Sequence, residues 1–243
     1  MYIDKDVSRS NVRFVPRAIP EPTLKRLPLY HRLLKELPAQ AGPAISCTEI
    51  GRKLHLEPTQ VRKDLELAGL TGKPRVGYPI AETIDGIASF LGWEKVNEAI
   101  LVGVGSLGSA LLGYRKFEQC GLRIVAAFDE DPVKFGTRIH GIPVLEWQML
   151  PEFVRRMGVL IGIITVPPAE AQTVADHMVA GGIRAIWNFA PVKLTTPDTV
   201  IIHNEDLYCS LAALSQKLSR ELGVRPAKPA AAWDRAHAEK MLA

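Results

Sequence analysis

A short glycine-rich segment near the middle of the chain has the spacing of a loop that binds a dinucleotide. It consists of Gly103, Val104, Gly105, Ser106, Leu107 and Gly108. An apolar strand predicted at Ile100–Val102 runs into this loop, and a helical pattern follows from Ser109. In such loops the first glycine permits a tight turn, the second lets the backbone approach the pyrophosphate, and the third lets the helix pack closely. The free N–H groups of the helix then face the anion.

An aspartate follows the second predicted strand at the position expected for a ribose contact. Asp129 lies 26 positions beyond Gly103, close to the spacing of the acidic residue that hydrogen-bonds a ribose hydroxyl. A carboxylate there repels a 2′-phosphate, and no Arg follows closely, so the pattern favours NAD(H) over NADP(H). The alternative is an ordinary aspartate in a loop at the end of a strand.

Two further loops follow apolar runs that we predict to be strands of the same sheet. Thr165, Val166 and Pro167 follow the run at Val159–Ile164, whereas Asn188, Phe189 and Ala190 follow Ile183–Trp187. Ligands of parallel sheets bind beside the carboxyl ends of the strands. Either loop could therefore line a nicotinamide pocket through its backbone, Thr165 or Asn188, although each taken singly could be an ordinary turn.

The elements that would position these loops alternate between strand and helix. Apolar runs at Ile100–Val102, Leu122–Phe128, Val159–Thr165 and Ile183–Trp187 are separated by helical patterns such as Leu107–Gln119 and Pro168–Ala180. This alternation predicts a doubly wound parallel sheet, a Rossmann domain, over residues 83–222. A last amphipathic helix over 205–222 carries the apolar stripe Leu207, Leu211, Leu214 and Leu218.

The first part of the chain has the pattern of a winged helix-turn-helix domain over residues 23–82. A capping box at Ser46–Glu49 opens a short helix, and Glu57-Pro58 opens the next. On that second helix Val61 and Leu65 face a core, whereas polar and basic side chains face the other way. Arg and Lys on such a face suit guanine edges in the major groove, and Gln60 suits adenine.

The predicted DNA contacts extend from this helix to a basic wing rich in Gly and Pro. They are Thr48, Thr59, Gln60, Arg62, Lys63, Lys73, Arg75 and Tyr78. We expect Asp64 to form a local salt bridge with Arg62 or Lys63 rather than face DNA. The alternative is a small helical domain whose basic side chains are merely solvated.

The charge of the chain is distributed unevenly. Residues 1–80 contain 14 Lys and Arg against 8 Asp and Glu, whereas the remaining residues contain 16 and 18. A basic front fits a polyanionic partner.

The three cysteines are isolated, which argues against disulfides and structural zinc and for a reducing cytosol. No apolar run approaches the length of about 18 residues that a membrane span needs. We expect residues 1–22 to be a flexible arm and 223–243 a tail.

Taken in order, these motifs resemble the Rex family of bacterial redox-sensing transcriptional repressors. The resemblance covers about residues 23–222 and rests on Gln60–Leu65, Val76–Tyr78, Gly103–Gly108, Phe128–Pro132, Thr165–Pro167 and Asn188–Pro191. It implies a cytoplasmic homodimer that binds palindromic operator DNA, releases it when NADH binds, and binds NAD+ without release. It also implies that the last helix is exchanged between subunits, and that Tyr114, Asp206 and Arg32 couple the nicotinamide pocket to the DNA-binding domain. Leu207 stands where the family pattern suggests an aromatic residue.

Two other functions use similar glycine loops. An NAD-dependent dehydrogenase needs a substrate domain and a positioned acid or base. The chain beyond the first 80 residues is too short for that domain, and its histidines show no motif partner. We therefore predict no catalytic residues and no metal site. A CoA-binding module of the succinyl-CoA ligase type remains open, because its fold carries comparable loops.

Overall fold

A computed structural model of the chain describes residues 19–38, 42–205 and 207–223. These residues form two compact units. One contains the described residues up to Val96 together with Lys116–Leu122, and the other contains Asn97–Arg115 and the described residues from Arg123 onward. The helix that follows the predicted domain boundary near residue 82 belongs to the first unit and buries Ile87 in that unit's core.

The N-terminal unit is built from helices around a small apolar core. The elements are α1 (Glu21–Lys35), β1 (Ala44–Ile45), α2 (Cys47–Leu54), α3 (Pro58–Leu67), β2 (Tyr78–Pro79), α4 (Ile80–Phe90) and α6 (Lys116–Gln119). Helix α1 begins inside the predicted arm, since Pro22 fits the first turn of a helix. The predicted cap of α2 is confirmed, because the Ser46 hydroxyl accepts a hydrogen bond from the Glu49 amide at 3.1 Å.

Strands β1 and β2 pair antiparallel and hold the base of the wing. Between α3 and β2 the chain makes a tight turn in which the Lys73 amide donates to the Gly77 carbonyl at 2.8 Å. Arg75 at this turn has a φ of +62°, a left-handed conformation that non-glycine residues seldom adopt. The turn holds the exposed side chains of Lys73 and Arg75 on one short loop.

The C-terminal unit is built around a seven-stranded sheet in the order β5-β6-β4-β3-β7-β8-β9. The strands are β3 (Asn97–Val102), β4 (Leu122–Asp129), β5 (Arg138–Ile139), β6 (Ile142–Glu146), β7 (Ile161–Ile164), β8 (Ala185–Asn188) and β9 (Ile201–Asn204). The helices are α5 (Ser106–Leu112), α7 (Leu150–Met157), α8 (Pro168–Gly181) and α9 (Leu207–Glu221). The pairs β3–β7, β4–β6, β7–β8 and β8–β9 are parallel, whereas β5–β6 is antiparallel.

The strand order reverses at β3, which lies between β4 and β7. In doubly wound sheets the crevice for a ligand opens at this switch point, beside the carboxyl ends of the strands. Ile100, Phe128 and Ile164 from these three strands are buried in the core together with Met178 of α8. The core therefore fixes the three strand ends that carry the predicted loops.

The structure departs from the predicted elements in two respects. The predicted helix Leu107–Gln119 is interrupted between α5 and α6, where the chain turns at Gly113–Arg115. Strands β5, β6 and β9 were not predicted. Helix α9 is present, and Leu211, Leu214 and Leu218 are each more than half exposed on it. Within the described part of the chain, no helix is long and apolar enough to cross a membrane.

Candidate functional site

The glycine loop joins β3 to α5, and two of its glycines are sterically required. Gly103 has a φ of +95°, and a Cβ atom there would lie 2.8 Å from the Thr165 carbonyl carbon. A Cβ at Gly108 would lie 2.0 Å from the Gly103 carbonyl oxygen. In contrast, no atom of the described residues lies within 4 Å of a Cβ built at Gly105. The tight turn therefore depends on Gly103 and the close helix packing on Gly108, whereas the backbone at Gly105 is open to a ligand.

Asp129, at the end of β4, is tied to this loop. Its carboxylate accepts a hydrogen bond from the Val104 amide at 2.6 Å and another from the Asp131 amide at 3.0 Å. The Lys134 ammonium lies 3.0 Å from the same carboxylate. Burial alone raises the pKa of Asp129, but the hydrogen bonds from Asp131, Lys134 and Val104 outweigh it, so the pKa is lowered. Asp129 is thus an ionised anchor for the loop as well as a ribose-contact candidate.

Lys134 is a functional candidate that the sequence analysis missed. It lies five residues after Asp129, on the 3-10 helix Pro132–Lys134, and lines the same cavity. The absence of an Arg close after Asp129 does not exclude a Lys in the same place. A Lys on a short turn directly after an acidic strand end is the signal that could have identified it.

A cavity of about 330 Å³ opens beside the loop. Its lining comes from the ends of β3, β4 and β7, from the segment after β6 and from α8: Val102, Gly103, Gly105, Asp129, Glu130, Lys134, Trp147, Thr165, Val166, Pro167, Ala169, Glu170, Thr173 and Val174. The structure thus brings the glycine loop, Asp129 and the Thr165–Pro167 loop to one cavity. Ser106 and Leu107 are exposed at the start of α5, and Val104 is buried.

The two predicted nicotinamide loops differ in how their polar side chains are used. Thr165 Oγ1 lies 2.7 Å from the Gly103 carbonyl oxygen and 3.0 Å from that of Val102, so it fastens the glycine loop. The Asn188 amide is fully buried, donates to Ala190, Val192 and Asn204, and accepts from the Ala190 amide. Its side chain therefore shapes the loop after β8.

Several predicted cofactor residues lie away from the described cavity. Asn188, Phe189, Ala190 and Tyr114 are not among the residues that line it. Tyr114 is half exposed at the turn that interrupts the predicted helix, and Arg32 is exposed on α1. Asp206 lies outside the described residues, so the predicted coupling of Arg32, Tyr114 and Asp206 stays a prediction. Among the described residues, no group of three or more His, Cys, Asp or Glu could hold a metal ion.

Helix α3 presents the predicted recognition surface. Thr59, Arg62 and Lys63 are exposed, whereas Val61 and Leu65 are fully buried in the core of the N-terminal unit. Arg62 Nε lies 3.8 Å from the exposed carboxylate of Glu66, a weak pair that leaves the guanidinium accessible. Thr48 is exposed at the start of α2.

Asp64 overturns one expectation for this helix, because it bonds neither Arg62 nor Lys63. Its carboxylate is fully buried and accepts hydrogen bonds from Arg26 Nε at 2.6 Å, Tyr30 at 2.7 Å and Thr23 at 2.9 Å, all on α1. Burial alone raises the pKa of Asp64, but its hydrogen bonds, of which that from Arg26 is the strongest, lower it. Asp64 lies three residues after Val61, and helical spacing turns it to the same inner side.

Gln60 and Tyr78 also differ from their predicted roles. The Gln60 amide donates to Asp64 at 2.9 Å, so in this state it is held by the buried cluster and not free to pair with a base. Tyr78 is 6% exposed, in the core behind the wing, and burial raises the pKa of its hydroxyl. Its ring packs against Gly72 inside the unit, and its predicted contact with DNA stays a prediction.

Family models match segments in both halves of the chain. A family model described as a CoA binding domain matches residues 94–192, and a model described as a putative DNA-binding protein N-terminus matches residues 18–66. The first match covers the glycine loop and the strands around the cavity. The second covers α1 through most of α3, including the buried Asp64 cluster.

Individual relatives decide the family. A protein from Treponema denticola named redox-sensing transcriptional repressor Rex is 47% identical over 193 residues, which is 79% of this chain and 92% of the relative. A protein of the same name from Bacteroides fragilis is 40% identical over 201 residues, 83% and 91% of the two chains. The chain belongs to the Rex family. These relatives are repressors and not enzymes, so the prediction of a non-enzymatic regulator is confirmed.

Solved structures of Rex repressors agree with the predicted two-domain fold. RSP, a Rex-family repressor, in complex with β-NAD+ and operator DNA, matches with a TM-score of 0.79 and 36% identity over 84% of this chain and 94% of RSP. RSP in complex with β-NADH matches with a TM-score of 0.76 and 35% identity, over 84% and 96% of the two chains. The predicted winged-helix and Rossmann architecture of this Rex-family chain is confirmed.

Proposed function

We propose that this redox-sensing repressor binds palindromic operator DNA through its N-terminal unit and NAD(H) through its glycine loop, and that NADH releases the DNA. The observation that carries the proposal is that the open Gly105 backbone and the anchored Asp129 line one cavity of about 330 Å³ at the switch point of the sheet. The pyrophosphate lies along the loop, and the Asp129 carboxylate accepts a hydrogen bond from a ribose hydroxyl. The solved complexes of RSP with NAD+ and NADH support this choice of ligand.

Arg62 and Lys63 are the residues of α3 that reach base edges, since both are exposed beside the exposed Thr59. Lys73 and Arg75 of the wing and Thr48 of α2 contact phosphates or the minor groove. Gln60 reads a base if it leaves Asp64 on binding. The complex of RSP with operator DNA supports this half of the proposal.

The exposed stripe on α9 supports a homodimer through the C-terminal helix. Leu211, Leu214 and Leu218 are 59%, 63% and 57% exposed, and Leu222 is 66% exposed. A contiguous apolar stripe of this kind on a single chain marks an interaction surface. We infer that a second copy covers it, so that two α3 helices read the two halves of a palindrome. Because its target is the chromosome, the protein acts in the bacterial cytoplasm.

NADH releases DNA, on this proposal, by favouring a dimer whose recognition helices no longer match successive major grooves. Half-site spacing makes binding sensitive to small rotations. A ligand shifts such an equilibrium by its differential affinity for the two states. The effect of NADH and not NAD+ therefore requires contacts that distinguish the two nicotinamide rings, which we assign to the Asn188–Ala190 loop, outside the lining of the cavity.

The match to a CoA binding domain model makes CoA the ligand to test against NADH. Calorimetric titration of the full chain with NADH, NAD+, NADPH and CoA separates the alternatives. We expect NADH and NAD+ to bind, and NADPH to bind more weakly, because Asp129 repels a 2′-phosphate. Binding of CoA without NADH would overturn the proposed function.

A further inference from the structure

The cavity contains an aromatic side chain that the glycine-loop pattern does not predict. Trp147 begins the 3-10 helix Trp147–Met149 directly after β6 and packs, partly buried, against the core of the sheet. It lines the same cavity as Gly103 and Asp129. Trp147 is therefore part of both the core and the ligand cavity.

His177 of α8 holds the indole in place. The two ring centroids are 4.7 Å apart, with the planes at 61°. His177 Nδ1 lies 2.8 Å from the carbonyl oxygen of Thr173, and a carbonyl can only accept, so Nδ1 carries the hydrogen and donates it. Thr173 lines the cavity as well. The indole thus rests on an imidazole that is itself hydrogen-bonded to α8.

Eleven of the fourteen residues that line the cavity fall into two chemical sets, and the other three, Thr165, Glu170 and Thr173, are polar. One is glycine backbone and charged side chains, which suit pyrophosphate and ribose: Gly103, Gly105, Asp129, Glu130 and Lys134. The other is apolar: Val102, Trp147, Val166, Pro167, Ala169 and Val174. A purine has apolar faces that pack on aromatic side chains. At about 330 Å³ the cavity is at the small end of ligand pockets, about 300–1,000 Å³, so it holds part of a dinucleotide.

We propose that Trp147, held by His177, contacts the adenine ring and sets the affinity for NADH and NAD+ by the same factor. This rests on the proposed function above. The adenosine half is identical in the two oxidation states, so a contact there cannot distinguish them. Trp147 thereby fixes the nucleotide concentration at which the repressor responds, whereas the preference for NADH over NAD+ is set elsewhere.

The test is calorimetric titration of the full chain with NADH, NAD+ and ADP-ribose. Trp147→Leu keeps an apolar side chain and is expected to weaken all three by about tenfold, the scale of one aromatic–base contact. The ratio of the NADH and NAD+ affinities stays unchanged. Trp147→Phe keeps an aromatic ring and recovers most of the loss. Met149→Ala, a matched control in the same short helix, removes a side chain that is 52% exposed and outside the cavity lining.

Each outcome separates the inference from the proposed function. Wild-type protein that binds none of the three ligands refutes the proposed function itself. Wild-type affinities in Trp147→Leu overturn the role of Trp147 and leave the function intact. A loss for NADH and NAD+ but not for ADP-ribose also overturns it, since the contact would then lie at the nicotinamide half. If Trp147→Leu fails to fold in a thermal melt, Trp147→Met, which also removes the aromatic ring, replaces it and is judged by the same criteria.

Discussion

Replacing the buried Asp64 with Asn should destabilise the recognition helix selectively. The Asp64 side chain is 0% exposed and Arg26 is 21% exposed. Breaking a buried ion pair by removing one partner costs about 3–5 kcal/mol. Because Arg26 can regain part of its hydration, we expect the lower end, about 3 kcal/mol, which includes the loss of one of the two carboxylate oxygens that accept from Tyr30 and Thr23.

Hydrogen exchange followed by mass spectrometry measures this loss on the full chain. Peptides from α1 and α3 should exchange about 150-fold faster in Asp64→Asn, as about 3 kcal/mol implies where opening is fast and reversible. Peptides from β7 and β8 in the other unit should be unchanged. The matched control is Glu66→Gln on the same helix, whose exposed pair with Arg62 is worth at most about 0.5 kcal/mol.

An effect below about 1 kcal/mol in α1 and α3, the range of an exposed pair, would show that the buried pair with Arg26 does not stabilise these helices. Equal acceleration in β7 and β8 would also contradict this prediction, because the cluster lies in one unit. A double variant with Arg26→Met checks the pairing directly. Since both partners are then absent, the double variant should cost much less than the sum of the two single variants.

Three further predictions concern the loop, the DNA surface and pH. Gly108→Ala, whose Cβ would lie 2.0 Å from a carbonyl oxygen, should abolish NADH binding or folding, whereas Gly105→Ala should fold and bind NADH more weakly; equal thermal melts and affinities would count against this. Arg62→Ala should weaken operator binding by about 1–3 kcal/mol in anisotropy titrations with NADH affinity intact, unlike the control Arg155→Ala. Because the pKa of Asp129 is lowered in the folded state, its stabilisation of the fold is complete above the unfolded pKa of about 3.9 and is lost as the pH falls through the folded pKa. In Asp129→Asn the melting temperature should therefore depend less on pH between about pH 5 and pH 3 than in the wild type. The same dependence of the melting temperature on pH in both proteins would contradict this.

Features set by local sequence were predictable. The strand, glycine loop and helix that form the dinucleotide motif are contiguous in the chain. Ser46 caps the helix that follows it by accepting a hydrogen bond from an amide only three residues away. Helix α8, predicted at Pro168–Ala180, is found at Pro168–Gly181. Each depends on spacing within a few residues, which periodicity and capping rules describe.

Features set by contacts between distant segments could not be predicted from the sequence. Asp64 is bonded to Thr23, Arg26 and Tyr30, which are 34 to 41 residues away, and a local salt bridge was the natural expectation for it. Trp147 enters the cavity because β6 lies beside β4, a pairing that sequence spacing does not reveal. Long-range packing therefore decided which polar and aromatic side chains serve the core and which face a ligand.

Release of this repressor from DNA by NADH and not by NAD+ is measured directly by fluorescence anisotropy. A preformed complex with a labelled palindromic operator is titrated in parallel with NADH and with NAD+. We expect NADH to lower the anisotropy to that of free DNA, and NAD+ at the same concentrations to leave the complex intact and to compete with NADH. Tight DNA binding that ignores both nucleotides, or equal release by both, would contradict it.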